Sequence, residues 1–482
     1  MAFSRNALPP REQALAELAS CDPADLSKVA KLRIIHSRCA QAGVLTGASV
    51  SSATATAHAA SAAGDGASDV AKLHQLFDAA VANGMPQLVC HYVDEVCGHD
   101  DFSSPDGVEA YLQDGEMVAE WCSAALRSAE QALDQAAALR TAGAADEADR
   151  AGAVFEALRD VLVALGADPA AGGDSAEATD ASAPHPAADA PGFQQRLQLA
   201  HDDAARRMQH AAALSWALRE GLTAGTAASQ DRYGGPGQWA SEVNVRRASA
   251  AAAARAADLP PDADGGGLFL DDLLAGVGVH APPYPFKSAT EAAERVFRHG
   301  SAAPAALVAK QALFLYYLLD LGAPPEGAPA RFARAARMHP RLFVETRCAA
   351  LLDDHERVES LTRACALLPG ASHPGLPLRF VASLAARGKP ADALAVARAR
   401  RSDVAAGFKR SQGESHDGNE SMGDVSVGGA SAGFEADATV EAELGVAVRL
   451  ECGLATEAFV CARDAVAAAP HDARRGVADK LV

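Results

Sequence analysis

Large rings are scarce in this sequence. Aromatic residues make up 5% of its 482 positions, with three tryptophans and six methionines. Much of the 49% hydrophobic fraction is alanine, which buries little area but is the best helix former, because it gives up no side-chain entropy. No two of the nine cysteines (21, 39, 90, 97, 122, 348, 365, 452 and 461) lie three positions apart. CxxC is therefore absent, and with it the spacing on which most structural zinc and dithiol redox sites are built. The start, Met1-Ala2-Phe3-Ser4-Arg5, reaches Pro9-Pro10 with no apolar h-region. The odd cysteine count and the missing secretory signal point to reduced thiols in a nuclear or cytosolic compartment. The longest apolar run, Ala312 to Leu319, is far short of the roughly 20 residues that a membrane helix needs. Transmembrane and secreted classes are excluded on this reading.

Positive charge is also in deficit. Lys+Arg total 43 against 62 Asp+Glu, a formal charge of −19. A chain of that sign repels phosphate backbones and anionic membrane surfaces, so a large nucleic-acid footprint is not expected, although a local basic strip is compatible with it. At roughly 150 residues per domain the length allows about three units.

What remains is helix and punctuation. Four low-complexity stretches divide the chain: 46–68 (Ser/Thr/Ala/Gly), 166–192 (Ala/Asp/Pro/Gly), 221–267 (Gly/Pro clusters with an Ala run) and 402–438 (Gly/Ser/Asp/Glu). They hold too few large apolar residues to offset chain entropy and read as linkers or loops, the last as a disordered insertion. Short N-terminal helices are expected over 11–45, with Ala14, Leu15 and Leu18 in the first and Asp25 capping a second that Gly43 stops. Between 69 and 165 lies an N-terminal helical region. Val70 to Val96 recurs at three- and four-residue steps and is broken at Gly84-Met85-Pro86, which makes a helical hairpin. In 118–165, Leu126, Leu133 and Leu139 break the heptad, and Gly143 and Gly152 interrupt the run, favouring a hairpin over a coiled coil.

A single helix is expected over 193–220. From 268 to 401 helical periods run through Leu268–Leu274, Ala292–Phe297, Ala306–Leu319, Arg331–Arg337, Leu342–Leu352, Val358–Leu367, Leu378–Ala386 and Ala391–Arg398, with a last helical stretch in 439–470. Gly388-Lys389-Pro390 is typical of the joints: the glycine stops one helix and the proline seeds the next. No segment alternates as a strand would. The fold class is all-α, a helical-repeat α-solenoid with long disordered linkers.

The search for chemistry is mostly negative. Cys90, His91, Cys97 and His99 are the nearest approach to a metal set, but on a helix Cys90 and Cys97 share a face while His91 points elsewhere, and buried free cysteines are the better reading. Asp353-Asp354-His355-Glu356 could be drawn as an acid–base pair; a capped helix start explains it more simply. Gly265-Gly266-Gly267 is no phosphate loop, because no strand precedes it and no GK[ST] follows. GxSxG and HExxH are absent. Arg206-Arg207, Arg246-Arg247, Arg400-Arg401 and Arg474-Arg475 are isolated and read as solvated faces. No catalytic, cofactor-binding or metal residue is assigned, and no cofactor is expected.

Two strings carry a resemblance. Leu88-Val89-Cys90-His91-Tyr92-Val93-Asp94-Glu95-Val96-Cys97, followed by Val108-Glu109-Ala110-Tyr111-Leu112 and Trp121-Cys122, resembles the N-terminal helical region of a plant family of RING-type ubiquitin ligases called "high expression of osmotically responsive genes". Val448-Arg449-Leu450-Glu451-Cys452-Gly453-Leu454-Ala455-Thr456-Glu457-Ala458-Phe459 is similar to the same family's C-terminal signature. Leu313-Phe314-Leu315-Tyr316-Tyr317-Leu318-Leu319-Asp320-Leu321 resembles the ELYS-like helical domain, shared with an animal nucleoporin that recruits pore scaffolds to chromatin.

The resemblance implies an ELYS-like scaffold or adaptor at the nuclear envelope and pore, linked to mRNA export and stress-response regulation. Its implied partners are proteins, namely outer-ring nucleoporins and ubiquitination substrates. One departure limits it. In the family the RING lies between segments like Leu18-Ala19-Ser20-Cys21-Asp22 and Lys31-Leu32-Arg33-Ile34; here only residues 23 to 30 separate the two, with Cys21 and Cys39 the only nearby cysteines. Several ligands per zinc are needed, so no RING forms there. Either the finger was lost or the coding sequence as written skips it. Two activities follow: a binding scaffold without bond chemistry, or a ligase subunit whose RING is elsewhere.

Overall fold

The computed structural model describes residues 105–139, 141–168, 191–222, 233–257, 267–277, 284–322, 327–355, 357–371, 376–411 and 434–468, with shorter pieces between 74 and 93 and at 474 and 478. The expected helices of 11–45 and the linker 46–68 lie outside the described residues. Every regular element among the described residues is a helix, as the sequence requires. The chain divides into two compact units, residues 1–218 with 301–303, and 219–300 with 304–482.

In the first unit, α1 (Pro86–Tyr92), α2 (Pro105–Leu139), α3 (Ala142–Ala164) and α4 (Pro191–Arg219) share one core. The turn at Gly84, with φ +68, precedes α1 where Gly84-Met85-Pro86 placed it. Phe77 packs edge-on to both Tyr92 and Trp121 at 5.1 Å, and the Trp121 indole donates to Asp78 Oδ1 at 2.9 Å. α2 and α3 form the expected hairpin, but α2 ends at Leu139 and α3 starts at Ala142, and neither Gly143 nor Gly152 interrupts α3. A Cβ at Gly152 would lie 3.4 Å from the Ala211 Cβ of α4, so this glycine permits close helix approach. Phe193 beside Gly115, Arg196 on Glu116 and Arg207 on Glu130 show α4 running parallel to α2.

The second unit comprises α5 (Pro236–Ala256), α6 (Phe269–Gly276), α7 (Ala289–Phe297), α8 (Pro304–Leu321), α9 (Ala328–Ala335), α10 (Pro340–Asp353), α11 (Val358–Ala371), α12 (Arg379–Ala386), α13 (Pro390–Ser411), α14 (Phe434–Glu451) and α15 (Ala455–Ala468). α8 is central, packed against α6, α7, α9 and α10. It is long and apolar enough to cross a membrane by length and composition alone. Its Leu313, Phe314, Leu315, Tyr316, Tyr317 and Leu318 are buried in the unit, as in a core helix hydrophobic on all sides. The hairpins α10–α11, α12–α13 and α14–α15 stack beyond it, the nearest-neighbour packing of a helical repeat.

The joints follow local chemistry. After α12, Gly388 at φ +66 sends its N–H to Ala385, and Lys389 reaches back to Leu384, the paired bonds of a Schellman stop; Pro390 then opens α13. The same pattern at Gly453, φ +73, with Gly453 to Leu450 and Leu454 to Arg449, divides the stretch Val440–Ala469 into α14 and α15. Ser288 caps α7 by accepting from the Glu291 N–H at 3.1 Å.

Two linker expectations are corrected. Within 221–267, residues 236–256 form α5, with Trp239, Val243, Arg246 and Ala250 buried. Low complexity misled because alanine at the remaining positions costs a helix nothing, while a few large side chains suffice to anchor it. At 402–438, α13 continues to Ser411 and α14 starts at Phe434, so the insertion between described helices is confined to 412–433.

Candidate functional site

The ELYS-like string on α8 contributes Tyr316, Tyr317 and Asp320, and these organise the densest polar cluster of the second unit. Asp320 is 5% exposed. Its Oδ1 accepts from the Arg246 guanidinium and the Tyr233 hydroxyl, both at 2.8 Å; its Oδ2 accepts from the Trp239 indole at 2.9 Å and the Tyr284 hydroxyl at 2.8 Å. Arg246 also donates to the Tyr233 oxygen at 2.8 Å. Tyr233 stacks on Trp239 at 5.0 Å, and Trp239 on Tyr317 at 5.8 Å, so an aromatic wall encloses the ion pair.

Burial opposes ionisation of Asp320, yet the charge of Arg246 and the hydrogen bonds from Arg246, Tyr233 and Tyr284 hold the carboxyl below its ordinary range. Burial pushes Tyr284 and Tyr316 well above the ordinary phenol value. Burial acts to lower Arg246, but the charge and hydrogen bond of Asp320 together with Tyr233 and Tyr316 outweigh it and hold the guanidinium above its ordinary value. An ionised acceptor with four side-chain donors on it has no lone pair left for a substrate. The cluster is a fastening between α5 and α8.

A second buried carboxylate does a related job. Asp353, the last residue of α10, accepts the backbone N–H groups of Phe269 and Leu270 at 3.0 Å each, and the Tyr316 hydroxyl at 2.9 Å. It therefore caps α6, whose first N–H groups have no partner within their own helix. Sequence reasoning placed a cap at Asp353 or Asp354, but for the helix that follows; the capped helix lies 84 positions upstream. Burial pushes Asp353 up to about 7, with the two N–H groups, Tyr316 and Arg379 pulling the other way. Arg379 pairs with Asp272 and sits 5.2 Å over the Phe269 ring, and a Cβ at Gly267 would meet its guanidinium at 2.6 Å.

Asp354 and His355 are also structural. Asp354 accepts from the Ser360 hydroxyl at 2.8 Å, while Arg387 donates to the carbonyls of Leu352 and Asp354, closing the end of α10. His355 is held down to about 4 by burial and the nearby Arg387 charge, and so is neutral near pH 7. Among the described residues of the string no acid–base pair is assembled. Cys90 is half-buried and Cys122 buried, with burial raising the Cys122 thiol far above its ordinary value. Cys97, His99, Glu356, Gly265 and Gly266 lie outside the described residues. Among the described residues no group of three His, Cys, Asp or Glu side chains converges as metal ligands would.

The arginine pairs read as solvated faces divide. Arg207 bridges Glu130 and Asp203, Arg246 is buried on Asp320, Arg247 grips Asp271, and Arg400 reaches Glu441 at 3.4 Å. The C-terminal signature string forms the α14–α15 corner. Arg449 is buried there and donates to the Gly445 carbonyl, while Leu450 and Phe459 are 55% and 70% exposed.

Sequence reasoning missed Tyr233, Trp239, Arg246 and Tyr284. The available signal was a tryptophan and an arginine seven positions apart, Trp239 and Arg246, on one face of an alanine-rich helix.

Comparison with known proteins places these features. The family model described as "ELYS: Nuclear pore complex assembly" matches residues 267–482. α5, with Trp239 and Arg246, lies outside that match although Asp320 ties it to the matched segment. The chain is also similar to "E3 ubiquitin-protein ligase HOS1" of Arabidopsis thaliana, at 26% identity over 437 residues, which cover 82% of this chain and 42% of that protein. The chain thus spans less than half the length of this relative. Both findings agree with the resemblance drawn from the strings at Cys90, Tyr316 and Cys452.

Proposed function

We propose that this chain is a nuclear-pore-associated helical scaffold that docks other proteins through its helix faces. The observation that carries this reading is the ELYS-type match over 267–482. The internal chemistry of that segment is consistent with it: Asp320 and Asp353 are saturated by groups of the chain itself and serve to hold helices at fixed angles. Outer-ring nucleoporins are the partners the reading implies. A tagged chain concentrated at the nuclear rim, and recovering outer-ring nucleoporins on pull-down, is the expected result. A tag spread evenly through the cytosol would overturn it.

A second reading is favoured by the similarity to a ubiquitin ligase. Here the chain positions substrates while a RING is supplied elsewhere. Sequencing the transcript between Cys21 and Lys31 decides between the two. A cysteine-rich insert there, with zinc bound to the purified product, supports the ligase; a junction as written leaves the scaffold.

A further inference from the structure

Most of the described arginines of the second unit are paired within it. Arg246 is on Asp320, Arg247 on Asp271, Arg331 on Glu220, Arg379 on Asp272, Arg398 on Glu457 and Arg400 on Glu441. The corner between α9 and α10 is different. From Gly327 to Leu352 the sequence carries Arg331, Arg334, Arg337, Arg341 and Arg347 against a single acid, Glu345, in a chain of net charge −19. Glu345 is buried, 4% exposed. Arg334, Arg337, His339, Arg341 and Arg347 are all exposed.

Among the described residues no carboxylate lies within ion-pair distance of Arg334, Arg337 or Arg347, although acids are the commoner charge in the chain. Arg337 takes φ +51, unusual for a residue with a Cβ, in the short joint between the two helices. His339 then caps α10 by accepting from the Arg341 N–H through Nδ1, at 3.3 Å. The open N-terminus of α10 adds its own partial positive charge beneath the arginines.

We propose that the α9–α10 corner is a docking surface for an acidic segment of a partner protein. Guanidinium forks match carboxylates in two-bond pairs, and the corner uses arginine throughout, with no lysine. From Pro340 to Arg347 α10 rises about 10 Å, a length that roughly three extended residues follow. A short acidic peptide fits within that span. A nucleic acid would run past it onto a surface of net negative charge. The surface stands independently of the pore reading.

The test is fluorescence anisotropy of a labelled glutamate-rich peptide against the full chain, with a short DNA duplex as competitor. The peptide is expected to bind at low ionic strength, weakening as salt approaches about 0.15 M. Arg334→Glu with Arg337→Glu and Arg347→Glu should weaken it at least about tenfold, with the circular dichroism spectrum unchanged. Arg363→Glu, on the exposed face of α11, should leave it intact. If the triple reversal unfolds the chain, the same positions changed to Gln carry the test, with a smaller, stepwise loss. Absence of peptide binding at low salt, equal loss on Arg363→Glu, or tighter binding of the duplex through the same arginines would each overturn the proposal.

Discussion

Arg246 and Asp320 meet at 2.8 Å with each side chain 4% exposed, 74 positions apart in sequence. One comes from a segment of low complexity and the other from α8, a helix whose apolar residues are buried on all sides. A buried pair of this kind is costly to break from one side, because the surviving charge is left without water or partner.

Arg246→Ala should therefore lower the stability of the second unit by about 3–5 kcal/mol, and Asp320→Ala by a similar amount. The double variant should cost little more than either single change, since the joint is lost at the first step. Thermal melts of the four proteins check this; losses that simply add would mean that the two residues do not act on one another.

The two buried carboxylates respond to pH with opposite sign. Asp353 is raised to about 7 by burial, while in the unfolded chain it ionises near 3.8. Between those values the folded state holds a proton that the unfolded state has released. Stability from this group therefore falls as pH rises from about 4 to about 7, by at most roughly 1.4 kcal/mol per pH unit. Asp320 is held below the ordinary range, so its contribution is complete above that range and is lost only on strong acidification. Denaturant midpoints measured between pH 5 and 7.5 should drift downward in the parent and flatten in Asp353→Asn. An unchanged slope in the variant would assign the drift to other groups.

Leu318 is 0% exposed on α8, among side chains from several helices. Leu318→Asp places an unpaired carboxylate where nothing can solvate it, at a cost of several kcal/mol. Loss of the cooperative melt of the second unit is expected by calorimetry; a variant that melts like the parent would show that α8 is not packed as described.

In the first unit, Gly152 allows α3 and α4 to touch through Ala211. Gly152→Leu forces a larger side chain into that contact and should destabilise by about 1–3 kcal/mol, despite leucine's better helix propensity. A melting temperature at or above that of the parent would show that the two helices can separate there without loss.

Much of the fold was legible in the chain. The Schellman stop at Gly388 and the start at Pro390 are set within a few residues, because glycine at positive φ and proline at a helix start act through their own backbone geometry. The buried face of α8 was legible too, since a string such as Leu313 to Leu319 has no polar side to turn outward. The site was legible in part. Asp320 and Tyr316 stood in a recognisable string, and Asp353 in one that suggested a cap, but the helix that Asp353 caps could not be named.

The sequence by itself determined most of the helices, several of their stops and the all-α class, because these depend on spacings of three to five residues and on single-residue backbone preferences. Tertiary structure alone decided that 236–256 is an anchored helix, that Asp353 serves α6, and that Arg246 is buried while Arg334, Arg337 and Arg347 face solvent. An arginine reads the same in sequence whether a carboxylate awaits it or not. The partner of each is fixed only when helices tens of residues apart are packed, since burial and charge pairing are properties of the assembled neighbourhood.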